Sequence, residues 1–255
     1  MNMGLVQIVC LVLVACTATF VDSKKLPPSF KTCPRDAPNL DECTRAAVED
    51  ALTKTLYKGD PSLGILPLDP LAITTLAIGR GTGSVNIDIT FNNLKVYGLK
   101  NLSVAKFHHN VEEYTITAEA IVPDLRLEGD YDMEGKILLL PVTGKGKSTI
   151  SFSDLKAVVK LVGEPFTKNN QKFIKITVFD VQMFPKKMQM HFDNLFNGDQ
   201  ALGKTMNKLL NDNWEIVMAD MRPGIEAALE QVFTTISNQI YTNVPYDDIY
   251  PPTSN

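Results

Sequence analysis

Gly144-Lys145-Gly146-Lys147-Ser148-Thr149, written GKGKST, is the stretch on which the fold turns, because it reads either as a phosphate-binding loop or as part of a sheet. A phosphate loop needs G-x-x-x-x-G-K-[ST] between a buried strand and a helix, so that backbone amides and a helix N-terminus converge on the phosphates. Here the place of the opening glycine is taken by Pro141, which has a fixed φ and no N–H to offer. Downstream, Thr149-Ile150-Ser151-Phe152-Ser153 alternates polar and apolar with period two; upstream, Lys136-Ile137-Leu138-Leu139-Leu140-Pro141-Val142 is strand-like as well. GKGKST is therefore predicted to be a glycine-rich hairpin turn with lysines at its tip, and nucleotide binding is set aside.

The same alternation extends outward from this hairpin. Val85, Ile87, Ile89 and Phe91 alternate with polar residues, as do Tyr114, Ile116, Ala118 and Ala120, and Met188, Met190 and Phe192. Half-buried strands joined by short polar turns, such as Asn92-Asn93 and Asn169-Asn170, predict an antiparallel meander. The alternation slips phase between Ser153 and Leu155, which predicts a bulge or bend in a long curved strand. From Gln200 to about Tyr241 the period becomes helical, with Leu202, Met206, Leu209, Leu210, Trp214, Val217, Met218, Met221, Ile225, Leu229, Val232, Phe233, Ile236 and Ile240 on the apolar face. Pro223 is expected to kink or split this run. At 1.5 Å per residue it would measure roughly 60 Å, longer than a compact domain of this size is wide. The expectation is an elongated α+β molecule with a curved antiparallel sheet curled along a long C-terminal helix. A shorter helix opens at Asn39 as N-cap with Glu42 at N3, runs through Leu40, Cys43, Ala47, Ala51, Leu52, Thr55 and Leu56, and stops at Gly59 and Pro61.

The chain opens on the apolar run Leu5–Ala15, followed by small residues and Asp22-Ser23-Lys24-Lys25. Residues 1–23 read as a secretory signal peptide, cleaved between Ala18 and Ser23, and residues 24–255 as one extracellular domain without a membrane span. Cys10 and Cys16 leave with the leader; Cys33 and Cys43 remain, and in an oxidising compartment they are expected to form a disulfide worth about 3 kcal/mol by chain entropy. Asn101-Leu102-Ser103 is a glycosylation sequon. A net charge of −4 without a basic block argues against a nucleic-acid partner. His108 and His109 face opposite sides of a strand, His191 is remote, and neither a metal-ligand spacing nor a G-x-S-x-G elbow occurs, so no metal, cofactor or enzymatic role is expected.

Several segments together resemble the takeout and juvenile-hormone-binding family of secreted insect carriers. They are the Cys33/Cys43 pair before a helix, Leu66-Pro67-Leu68-Asp69-Pro70-Leu71, Tyr131–Pro141 followed by Gly144-Lys145-Gly146, His191–Gly198, Leu210-Asn211-Asp212-Asn213-Trp214, and Pro245–Tyr250. The resemblance implies a TULIP-like fold around an internal apolar tunnel, and a non-enzymatic extracellular carrier in haemolymph or another fluid. Its ligand would be a juvenile-hormone-like terpenoid or a fatty-acid-like lipid. Dedicated hormone carriers of that family usually have a second disulfide, for which no cysteine remains, so the chain resembles the takeout-like branch linked to circadian, feeding and chemosensory physiology. Candidate lining residues, chosen as large or flexible side chains on apolar faces, are Phe91, Tyr131, Phe179, Phe192, Trp214, Val217, Met218, Met221 and Ile225. The nine methionines, six of them in the late strands and helix, suit an adaptable interior. The rival reading is a secreted interaction module whose core is filled and whose surface meets an unidentified receptor.

Overall fold

The computed structural model describes residues 23–79 and 83–252; the predicted leader lies outside them, apart from Ser23. Seven antiparallel strands form one sheet: β1 (Leu71–Ile78), β2 (Val85–Tyr97), β3 (Ser103–Asn110), β4 (Thr115–Ile137), β5 (Leu140–Lys168), β6 (Gln171–Phe184) and β7 (Lys187–Phe192). The order is β1-β2-β4-β5-β6, with β3 added to the far half of β4 and β7 to the near half of β5. β5 has 29 residues, a contour of roughly 95 Å, so one strand spans the whole sheet.

GKGKST lies inside β5, not in a turn. The hairpin turn is Leu138-Leu139, both at positive φ (47° and 78°), and pairing closes at Ile137 opposite Leu140. The two lysines are cross-strand partners of carboxylates: Lys145 sits opposite Asp132 at 3.1 Å, and Lys147 opposite Asp130 in a close ion pair. The glycines have a steric reason. A Cβ at Gly144 would lie 2.5 Å from the Tyr131 hydroxyl and one at Gly146 2.7 Å from the Asp193 carbonyl, because the chain after β7 crosses the sheet there. The expected turn at Asn92-Asn93 is instead a bulge within β2, where the register shifts between Asn92 and Lys95 and Asn93 takes φ 52°. Asn169-Asn170 does turn the chain, at φ 50° and 59°. The phase slip at Ser153–Leu155 is a paired bend: Asp154 takes φ 45°, and the buried face changes together on β5 (Phe152, Leu155) and on β4 (Val122, Leu125).

The C-terminal helix is two helices, α2 (Gln200–Asp212) and α3 (Trp214–Tyr241). The break falls at Asn213 (φ −118°, ψ 26°), whose side-chain amide donates to the Leu209 carbonyl, while Pro223 is accommodated inside α3. At 28 residues α3 is about 42 Å long, so the single 60 Å rod is corrected. α1 (Leu40–Asp50) runs on through a wider turn to Lys58 and packs on β3; Asn39 makes no side-chain cap, the Cys43 N–H instead donating to the Asn39 carbonyl at 3.0 Å, and Glu42 pairs with Arg45. Cys33 and Cys43 are bonded, with Cα atoms 5.9 Å apart, tying the leading coil to α1.

α3 packs on both margins of the sheet, on β1 at one side and on β6 and β7 at the other. On the β6/β7 side the unpaired strand backbone is met by helix side chains. Asn238 exchanges two hydrogen bonds with Ile176 (2.8 and 3.0 Å), Glu226 accepts from the Met183 N–H (2.7 Å), Asn211 exchanges two with Met190 (2.8 and 2.7 Å), and Asn207 two with Phe192 (both 2.9 Å). Met183, Met190 and Phe192 are buried, so without these partners their backbone groups would be orphaned away from water. Asn211→Ala is expected to destabilise the fold by about 2–4 kcal/mol, read from the shift in urea midpoint; a change below about 0.5 kcal/mol would show that the edge is not held this way.

The far end of the sheet is closed by α4 (Tyr246–Ile249), where Tyr246 and Tyr250 bury against Ile174 and Ile176 of β6. His109 is enclosed there with its ring 4.5 Å from Tyr250, and its Nδ1 has no partner. His108, its neighbour, is exposed and meets Asp41, whose other oxygen accepts from the His109 N–H. Burial pushes the His109 imidazole down to about 4, against the opposing pull of Asp41. Since the unfolded chain takes up this proton near pH 6.5 and the folded one only near 4, stability is lost as the pH falls through that window, by about 3 kcal/mol. His109→Phe is expected to flatten this part of a melting-temperature profile between pH 7 and 4; an unchanged slope would exclude His109 as its source.

Candidate functional site

The inward positions of the strands and the i, i+4 positions of α3 converge on one cavity of about 90 Å³. β1 supplies Ile73, Leu76 and Ile78, β2 supplies Ile87, Ile89, Phe91, Leu94 and Val96, and β4 supplies Leu125, Leu127 and Met133. Ile150 and Phe152 of β5, Met183 of β6, and Met188, Met190 and Phe192 of β7 complete the sheet side. Leu210 of α2 and Val217, Met221, Ile225 and Leu229 of α3 form the lid. Period-two spacing on the strands and four-residue spacing on α3 are what place these residues together.

Every side chain of this wall is apolar, and none is ionisable. General acid–base work needs a titratable group within hydrogen-bond reach of the reacting atom, and the described residues of this wall supply none. Among the described residues no group of three or more His, Cys, Asp or Glu is placed to hold a metal ion. Five of the wall residues are methionines, Met133, Met183, Met188, Met190 and Met221, whose unbranched side chains re-pack at low cost.

Of the residues selected from sequence, Phe91, Phe192, Val217, Met221 and Ile225 reach the cavity. Tyr131, Phe179, Trp214 and Met218 stand elsewhere. Tyr131 is buried with its ring edge-on to Phe192 (4.9 Å between centroids), but its hydroxyl donates to the Asp193 carbonyl at 2.5 Å and secures the crossing chain. Burial, with Asp193 and Asp132 nearby, pushes that phenol up to about 12 and keeps it a donor. Phe179 stacks on Phe233 at 5.4 Å, Trp214 opens α3 at the rim of the core, and Met218 is buried to one side of the lid. Most of the wall was passed over in favour of larger side chains, although the same alternation marks Leu76 and Ile78, Leu125 and Leu127, and Ile150 as inward; Ile73 is out of phase with Leu76, since the burial of β1 slips by one residue at Thr74-Thr75.

A second depression, a groove of about 370 Å³, lies between the connector Gly64–Leu68, the start of β1, and Gln231, Val232, Thr235, Ile236 and Gln239 of α3. Ile73 belongs to both walls.

The chain that folds into this apolar cavity beneath a helix on a curled antiparallel sheet is matched by a family model. The model of the haemolymph juvenile hormone binding proteins covers residues 9–251. The chain belongs to that family. Among its relatives in the family is the circadian clock-controlled protein daywake of Drosophila melanogaster, 28% identical over 240 residues and 89% of each chain. The putative beta-carotene-binding protein of Schistocerca gregaria is 21% identical over 223 residues, 87% of this chain and 88% of that one. The crystal structure of Takeout 1 from Epiphyas postvittana superposes with a TM-score of 0.74 at 25% identity, over 86% of this chain and 98% of that one. The α+β fold and the takeout and juvenile-hormone-binding membership implied by the sequence motifs therefore stand. Proteins of this family bind hydrophobic small molecules, and no helix among the described residues is long and apolar enough to cross a membrane.

Proposed function

We propose that this protein is a secreted, non-enzymatic carrier that takes a terpenoid or fatty-acid-like lipid into the cavity beneath α3. The observation that carries this reading is the wall itself, wholly apolar, rich in methionine and roofed by one helix. Transfer of an apolar ligand out of water releases about 25 cal/mol per Å² buried, less the cost of immobilising it. A cavity of about 90 Å³ is below the roughly 300–1,000 Å³ of small-molecule sites, so filling it requires the methionines and the α3 lid to move outward. The relative described as a putative beta-carotene-binding protein supports an apolar ligand class, and the daywake relatives support a circadian setting. The leader over residues 1–23, and glycosylation at Asn101, which is exposed on a short turn before β3, belong to the same secretory reading.

The test is native mass spectrometry with organic extraction of the protein secreted from insect cells. A stoichiometric lipid adduct is expected; a bare protein that also takes up neither juvenile hormone nor long-chain fatty acids would favour a filled-core interaction module. Met221→Trp, which places bulk in the cavity, is expected to weaken uptake of a fluorescent fatty-acid probe about tenfold or more while the protein remains folded; undiminished uptake would place the ligand elsewhere.

A further inference from the structure

The two seams between α3 and the sheet are built differently. Along β6 and β7, α2 and α3 are fastened to strand backbone through Asn207, Asn211, Glu226 and Asn238. Along β1 the contact is made by apolar side chains flanking the groove, and among the described residues α3 is fastened on that side at one point, the start of β2, where Asp220 accepts from the Val85 N–H at 2.8 Å. Directional hydrogen bonds resist separation, whereas apolar contacts slide and re-form at little cost. The β1 seam is therefore the side on which the lid can part. Ile73 belongs to both walls, so the groove and the interior cavity meet at its side chain.

The groove also differs chemically from the cavity. Gln231, Thr235 and Gln239 line its outer edge at four-residue spacing, exposed on one face of α3. At its end lies Lys24, whose backbone N–H donates to the Asn243 carbonyl at 2.9 Å and fixes the leading segment just beyond the end of α3. The Lys24 ammonium and the Gln239 side-chain oxygen converge on Gly64, lying 3.5 and 3.6 Å from where a Cβ on that residue would stand. Among the described residues no carboxylate forms an ion pair with Lys24.

We propose that groove and cavity are the two halves of one site for a single-chain lipid carboxylate, its tail passing Ile73 into the interior and its head group held at the groove by the Lys24 ammonium. This rests on the carrier reading above and narrows it from apolar ligands in general to those with an anionic head. Cavity and groove together reach the size range of small-molecule sites, which the cavity alone does not. A carboxylate at Lys24 gains an ion pair on top of the hydrogen bond, whereas the matching methyl ester is neutral and offers only its carbonyl oxygen as acceptor.

The experiment is displacement of a fluorescent fatty-acid probe from the secreted protein by hexadecanoic acid and, separately, by methyl hexadecanoate. The acid is expected to compete about tenfold better than the ester. Lys24→Met is expected to bring the acid's affinity down to that of the ester, and Lys24→Glu to lower it further. Lys24 lies outside the apolar core, and a melting curve for each variant confirms that it is folded. Equal competition by acid and ester in the wild type, or an acid preference that survives both substitutions, would overturn the head-group site while leaving a carrier of neutral lipids intact. Failure of the probe, the acid and the ester all to bind would instead overturn the carrier reading itself.

Discussion

The unpaired backbone along the outer edge of β6 and β7 is the constraint from which the rest of the structure follows. A sheet edge must be paired, covered or left to water, and here it is covered by amide and carboxylate side chains projecting from α2 and α3. Three asparagines each present a donor and an acceptor in one plane, so each substitutes for a residue of a neighbouring strand. That arrangement fixes the helices against one margin of the sheet. It thereby sets how far the sheet must curl before β1 meets α3 on the other side, and the cavity is the space left inside. The weaker seam, the groove and the position of Ile73 are consequences of the same asymmetry.

Inside, polar groups are kept to the ends. Tyr131 and the crossing chain after β7 occupy one end, His109 and the tyrosines of α4 the other, and the middle holds only hydrocarbon and sulfur. An interior of this kind tolerates variation in shape, since methionine side chains exchange rotamers without leaving a polar atom unsatisfied.

The repeating parts of this fold were legible in the sequence, and the singular ones were not. Period-two alternation located β2, β4 and β7, helical periodicity located α2 and α3, and the change of period marked the sheet-to-helix boundary. The turn between β4 and β5 was misplaced because GKGKST contains the residues turns favour, whereas Leu138-Leu139 adopts positive φ without them. The glycines answer instead to a chain crossing that no local pattern records. Asn92-Asn93 was similarly ambiguous, since a bulge and a turn draw on the same left-handed residues. The helix break was assigned to Pro223, the stronger local breaker, but a proline removes one hydrogen bond that a long helix can forgo, and the break came where Asn213 could cap Leu209. Among the candidate site residues, selection by size found Phe91 and Phe192. It also admitted Tyr131 and Phe179, whose large rings are occupied in local contacts.

The order of elements along the chain has a bearing on how the container is made. β4 and β5 are joined by two residues and run in register along their whole length, so their pairing is local and can form early. α3 follows all seven strands, and its contacts with β1 and with the start of β2 join parts of the chain more than 130 residues apart. During synthesis the strands therefore emerge as an open trough, its greasy face uncovered, and the roof arrives only afterwards. A nascent chain in that state, with its apolar face and strand edges uncovered, is the form most exposed to aggregation.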